Sequence, residues 1–304
     1  MRNCLLPACA VVLLAYPAAA ECAPTAAEVV VQEQYAVLII NPATGAQVFR
    51  HDPEGFLTTP HPVGSLIKIF TTLAAMEDNP SVKELLVACE PSRPTDRVCD
   101  SCWYRRGHGT LNLSQALAVS CDRYFRVLAE RLPAEKFFSV LEKFGIWEAA
   151  TRPEWKRMEA VETMVGIGTR LRVSPASLFA ACACVFNGGV LYDLAGEKTS
   201  VLGRVDIAPE ISGFVRDALS RTVAVGTAAD LARETGMPSI AGKTGTASYF
   251  HKGKSDYTKT HGWFVGFAPA EKPTRGICVF LLHGKGSDAA KLAGKLLRLT
   301  NGSQ

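Results

Sequence analysis

Tyr35-Ala36-Val37-Leu38-Ile39-Ile40, then Asn41-Pro42-Ala43-Thr44-Gly45, then Ala46-Gln47-Val48-Phe49-Arg50 reads as a strand, a turn and a strand. Working outward, residues 65–77 read as a helix, followed by a polar, cysteine-containing loop from about Cys89 to Gly109. Asn112 to Phe144 has helical periodicity broken at Pro133, and Pro175 to Asn187 is a helix stopped by Gly188-Gly189. Residues 209–233 read as helical with a break at Gly226. Three strand-like runs follow, Thr244–Phe250, Gly262–Phe267 and Ile277–His283, and Asp288 to Leu299 is an amphipathic helix. Two strands open the chain, three close it, and most of the helix lies between. The simplest way to bury all five strands is one antiparallel sheet built from both chain ends. Helices from the termini would cover one face, and an all-helical lobe, about residues 78–235, would be inserted. The expected class is α+β.

The 304 residues are 48% apolar and 20% charged, with no biased stretch, which excludes intrinsic disorder, collagen-like repeats and a small disulfide scaffold. A net charge of +4 is too weak to argue for nucleic acid, and no paired C-x-x-C or basic run occurs. The first twenty residues differ from the rest: Arg2 gives a positive start, Cys4 to Ala20 carry no charge, and Ala18-Ala19-Ala20 precede Glu21. That is the pattern of a cleaved export signal, and its apolar run, with Pro7 and Pro17, is shorter than the roughly 20 residues a spanning helix needs. Cys22 follows Glu21 rather than a small residue, which argues against lipidation. The expected organisation is a signal over 1–20, a short extension over 21–34, and a domain over 35–304. The expected location is the periplasm or the outer face of the cytoplasmic membrane. Cys182, Cys184 and Cys278 sit in apolar runs and read as buried thiols.

Three short segments carry chemistry. In Gly64-Ser65-Leu66-Ile67-Lys68, the hydroxyl and the amine share one helix face, so the lysine can serve as the base that activates the serine. Ser120-Cys121-Asp122 lies between two helices, where a turn projects a hydroxyl and a carboxylate into a cleft. Lys243-Thr244-Gly245-Thr246 starts a strand whose cation and hydroxyls could hold a carboxylate, with Gly245 allowing close backbone approach. Taken singly, each is ordinary: an N-cap serine with a solvated lysine, a helix cap, a strand that begins with lysine. Their order is not. Ser120 follows Lys68 by 52 positions, and Lys243 follows Asp122 by 121.

With these motifs in this order, the sequence resembles the transpeptidase domain of penicillin-binding proteins, class B-like, over about residues 35–300. Further similar stretches are Gly107–Ala118, Val165-Gly-Ile-Gly168, Asn187-Gly-Gly-Val-Leu191, Gly226-Thr-Ala228 and His261–Pro269. The resemblance implies a serine acyltransferase acting on peptidoglycan stem peptides that end in D-Ala-D-Ala. Ser65 would be the nucleophile and Lys68 its base. Ser120 would pass a proton to the leaving amine, and Asp122 would orient the network. Lys243, Thr244 and Thr246 would hold the terminal carboxylate, and the backbone N–H groups of Ser65 and Thr246 would form the oxyanion hole. β-Lactams would acylate Ser65 as substrate mimics. Asp122 stands where many relatives have Asn, although Asp also occurs in elongation-type members. The short lead to the first strand implies no pedestal, no glycosyltransferase domain and no retained anchor. The short connection from the opening strands to Ser65, as in class D β-lactamases, keeps a class D-like serine β-lactamase in view, and a non-catalytic β-lactam or peptidoglycan sensor is a further alternative. The expected partners are the stem peptide, β-lactams and other cell-wall enzymes.

The loop containing Cys89, Cys99, Cys102 and His108 has three thiols and an imidazole at spacings a tetrahedral zinc site can use. The competing reading is one disulfide, Cys89 with Cys99 or Cys102, and it is favoured because relatives carry two cysteines and a Gly-His-Gly in a similar loop. Apart from that zinc, no cofactor is expected. Cys121, beside Ser120, reads as packing.

Overall fold

The computed structural model describes residues 34–93, 102–147, 155–232 and 239–301. The export signal over 1–20, nearly all of the 21–34 extension, Cys22 and Cys99 lie outside the described residues.

The chain opens with β1 (Tyr35–Ile40), β2 (Gln47–His51) and the short β3 (His61–Pro62). A 3₁₀ turn, Gly64–Ile67, leads into α1 (Lys68–Asp78). The hairpin β4 (Val87–Cys89) and β5 (Gly109–Leu111) precedes α2 (Leu113–Ala118), α3 (Asp122–Arg131), α4 (Ala134–Lys143) and α5 (Arg157–Val165). Next come β6 (Arg172–Val173), α6 (Pro175–Ala183), the hairpin β7 (Val190–Asp193) and β8 (Ser200–Arg204), then α7 (Pro209–Ala224) and α8 (Ala229–Ala232). The chain closes with β9 (Ala241–His251), β10 (Lys254–Ala268), β11 (Arg275–Leu281) and α9 (Gly286–Asn301).

The expected five-stranded sheet is present, in the order β2-β1-β11-β10-β9, and every pair is antiparallel. β1 pairs with β11, placing Val37 opposite Val279, so the two ends of the chain meet at the middle of the sheet. All six β1 residues are buried because the sheet is covered on both faces. Ala36, Leu38 and Ile40 enter the larger core, with residues of α1, α3, α4 and α6. Tyr35, Val37 and Ile39 enter a smaller one, closed by Ala289, Ala290, Ala293, Leu296 and Leu297 of α9. Those five positions follow a helical repeat, so a single apolar stripe seats α9.

The cover of that second face differs from expectation. Among the described residues it consists of α9 with Leu231 of α8 and Val223 of α7, and not a pair of terminal helices. The expected helix over 65–77 starts as a 3₁₀ turn, because Gly64 sits at φ 55 and pulls the first residues out of α geometry. The loop between Cys89 and Gly109 is tied at its base, where β4 pairs with β5. The β7–β8 hairpin and α5 have no counterpart in the sequence reading. β8 is exposed along its whole length and so shows no alternation to detect. No described helix is long and apolar enough to cross a membrane.

Candidate active site

Backbone contacts that only glycine permits place the 3₁₀ turn against β9. A Cβ on Gly64 would stand 2.7 Å from the Thr246 carbonyl oxygen, and one on Gly166 would stand 2.4 Å from that of Gly64. Both residues have positive φ. Ser65 is thereby held between the C-terminus of α5 and the edge strand of the sheet.

Lys68, the first residue of α1, is fully buried beneath Ser65. Its Nζ donates to Ser65 Oγ at 2.8 Å and to Asp122 Oδ1 at 2.6 Å. A charge buried to this degree is tolerated when it is paired and hydrogen-bonded, which is what Asp122 supplies. Ser120 lies one turn away at φ 55, a left-handed conformation uncommon outside glycine. Its Oγ is buried and has no hydrogen-bond partner among the described residues.

Lys243 is wholly buried, and its Nζ donates to the Thr244 carbonyl at 3.1 Å. Burial, and then the neighbouring Lys68 charge, push its amine well below the usual lysine range, with Asp122 opposing them. Thr244 Oγ1 shares a 2.5 Å hydrogen bond with Thr227 Oγ1, and Thr246 Oγ1 accepts from the Gly286 N–H at 3.0 Å. Ser65, Ser120, Asp122, Thr244 and Thr246 open together onto a cleft of about 510 Å³. β9 forms its wall as the last strand of the sheet, so among the described residues no strand pairs with its outer edge.

Of the residues singled out in the sequence, Ser65, Lys68, Ser120, Asp122, Thr244 and Thr246 converge. Two sit differently from expectation. Lys243 stands buried behind the cleft wall rather than on it, near enough to Lys68 and Asp122 for their charges to bear on its amine. Gly245 packs beneath the Ser65 turn, where a Cβ would meet Leu66 Cγ and the Val63 oxygen at 3.2 Å.

Residues 35–298 match the family model for the penicillin-binding protein transpeptidase domain. The chain belongs to that family. It is 29% identical over 235 residues to peptidoglycan D,D-transpeptidase MrdA of Acinetobacter baumannii, covering 63% of this chain and 34% of the relative. It is also 29% identical over 267 residues to stage V sporulation protein D of Bacillus subtilis, covering 77% and 41%. The chain thus spans well under two thirds of the length of these curated relatives. Among solved structures, Pseudomonas aeruginosa PBP2 superimposes with a TM-score of 0.73 at 19% identity, over 91% of this chain and 74% of that one. The PBP2 of Helicobacter pylori gives 0.72 at 18%, over 89% and 61%. At those identities the likeness establishes the transpeptidase fold.

This transpeptidase domain carries a second cluster beside its cleft. Cys89 Sγ and Cys102 Sγ lie 3.6 and 3.5 Å from His108 Nδ1, and Cys121 Sγ lies 3.9 Å from Cys102 Sγ. All four donor atoms fall within 4.8 Å of one another. The favoured disulfide is not formed between Cys89 and Cys102, both of which are free thiols. Cys99 lies outside the described residues, and Cys121, read from sequence as packing, completes the set. Hydrogen bonding from Cys121 lowers the Cys102 thiol, while that same bond and burial raise Cys121. Cys182, Cys184 and Cys278 are buried as expected.

Cleft residues to which sequence reasoning gave no role include Trp103, Thr227, Lys285 and Ser287. Thr227 had a signal, since Gly226-Thr-Ala228 was already among the family-like stretches. Trp103 had none beyond its place after Cys102.

Proposed function

We propose that the protein is an exported serine D,D-transpeptidase that cross-links peptidoglycan stem peptides through an acyl-enzyme on Ser65. The observation that carries this reading is the Ser65–Lys68–Asp122 chain of hydrogen bonds opening onto a cleft walled by an edge strand. Ser65 Oγ attacks the carbonyl between the two D-alanines as its proton passes to Lys68, which hands one of its own to Asp122 across their 2.6 Å contact. Ser120, whose hydroxyl is uncommitted, relays a proton to the amine of the departing D-alanine. The backbone N–H groups of Ser65 and Thr246 stabilise the oxyanion. Thr244 and Thr246 contact the terminal carboxylate, while Lys243 draws it from behind the wall. An amine of a second stem peptide then attacks the acyl carbonyl, forming the new amide and freeing Ser65.

Export to the periplasm or the outer face of the cytoplasmic membrane, and work beside other cell-wall proteins, belong to the same proposal. The Helicobacter pylori PBP2 was solved as a complex with MreC. The test is incubation of the wild type and Ser65→Ala with a fluorescent penicillin, followed by a chase. Long-lived label on the wild type alone supports the transpeptidase. Rapid loss with turnover identifies a β-lactamase, and no label on folded protein identifies a non-catalytic binder.

We propose, second, that Cys89, Cys102, His108 and Cys121 hold a structural zinc ion. Ligands about 2.3 Å (sulfur) and 2.0 Å (nitrogen) from one ion at tetrahedral angles stand about 3.5–3.8 Å apart. The observed 3.5, 3.6 and 3.9 Å separations fit that geometry. One zinc per chain by elemental analysis, with thiols that become titratable only after chelation, is expected. A metal-free protein with a disulfide in this loop overturns it.

A further inference from the structure

Two adjacent residues of the cysteine loop hold the serine–carboxylate turn at each of its three positions. The Trp103 indole Nε1 donates to the Ser120 carbonyl at 3.0 Å and to the Val119 carbonyl at 3.3 Å. The Trp103 backbone N–H donates to Asp122 Oδ2 at 3.3 Å, the carboxylate oxygen that Lys68 does not use. Between them, Cys121 Sγ meets Cys102 Sγ. Ser120 is the residue in need of such support, since its left-handed φ of 55 is unfavourable for a non-glycine residue and must be imposed by its surroundings. Trp103 is 56% exposed and lines the cleft. A tryptophan this exposed gains little from burial, so its anchoring hydrogen bonds are what distinguish it from an ordinary wall residue.

We propose that Trp103 is a positioning residue that locks Ser120 in its left-handed conformation and aims Asp122 at Lys68. The cysteine–histidine cluster is its anchor: through Cys102 it fixes the loop from which the indole reaches. The kinetic consequence rests on the acyl-enzyme reading of Ser65, whereas the structural consequence does not.

Trp103→Phe keeps a ring in the cleft wall and removes the N–H; Trp103→Ala removes both. Acylation by a fluorescent penicillin is resolved into non-covalent affinity and the first-order acylation step, alongside the melting temperature. Both variants should lose at least about tenfold in the acylation step, because sub-ångström misplacement of reacting groups is that costly. Trp103→Phe should hold the non-covalent affinity within about threefold and melt close to wild type. A Phe variant that acylates at the wild-type rate while Ala does not would reduce Trp103 to an apolar wall. Losses that track only the unfolded fraction would reduce it to a stability residue. A crystal structure of Trp103→Phe decides without turnover: Ser120, which loses the indole hydrogen bond to its carbonyl, should leave the left-handed region. An unchanged turn sinks the proposal even if the wild type proves not to react with penicillin, a result that would instead refute the acyl-enzyme.

Discussion

Lys68 and Asp122, 54 positions apart, are joined by a 2.6 Å contact whose lysine end is sealed from solvent. The pair ties the first residue of α1 to the first residue of α3, so the nucleophile's turn and the serine–carboxylate turn cannot move independently.

Removing the acid from that pair leaves a buried cation. Asp122→Leu should lower unfolding free energy by about 3 kcal/mol, as loss of one partner of a buried ion pair does, measured by urea denaturation. Asp122→Asn keeps an oxygen facing Lys68 and should recover much of that stability, with penicillin acylation within about tenfold of wild type. Equal instability of the two variants would show that the pair requires the carboxylate charge and that an oxygen facing Lys68 does not replace it.

Gly64→Ala tests the contact between the Ser65 turn and β9. The new Cβ meets the Thr246 oxygen at 2.7 Å from a backbone at φ 55. A left-handed alanine alone costs about 1–2 kcal/mol, and the clash adds to it. The variant should lose about 2 kcal/mol or more in chemical denaturation and acylate more slowly. Wild-type behaviour in both would show the contact to be slack.

Proton uptake should accompany carboxylate binding. Burial and Lys68 hold the Lys243 amine well below its usual range, and an arriving carboxylate favours its charged form. Non-covalent affinity of the Ser65→Ala protein for a penicillin should therefore weaken as pH rises. Calorimetry in buffers of different ionisation enthalpy should register the proton, and Lys243→Ala should abolish it.

How far the sequence reached can be judged from Ser65 and Trp103. The five strands and the Ser65, Ser120 and Lys243 segments were legible because each is local: an apolar run between turn residues, or a motif at fixed spacing. Convergence of Thr244 and Thr246 with Ser65 followed from the order of those motifs. Trp103 and the Cys121 sulfur were not legible, since their roles arise from a loop folding back on a turn 19 residues away, and no periodicity records that. Lys243 was placed on the correct strand but not behind the wall, because a residue's depth depends on the surrounding packing.

Acid sensitivity should trace to His61. Buried against Phe56 and Phe280, and beside His261, its ring is held by burial at about 3 instead of 6.5. His251 and His261 add like-charge opposition. The unfolded chain takes up a proton on this residue below about pH 6.5 and the native state only near 3, so stability falls as pH drops through that window. The loss amounts to as much as about 4 kcal/mol. His61→Phe should flatten the dependence between pH 6.5 and 4 in urea titrations; an unaltered slope would place the acid sensitivity elsewhere.

The open side of β9 has a consequence for handling the molecule. Among the described residues β9 is the last strand of its sheet, and an edge that can welcome a guest strand cannot tell that guest from an identical neighbour's backbone, so crowding the empty protein invites strand-to-strand stacking. A covalently bound β-lactam seated beside that edge would act as a stopper, and the loaded form should stay monodisperse at concentrations where the empty one begins to cluster.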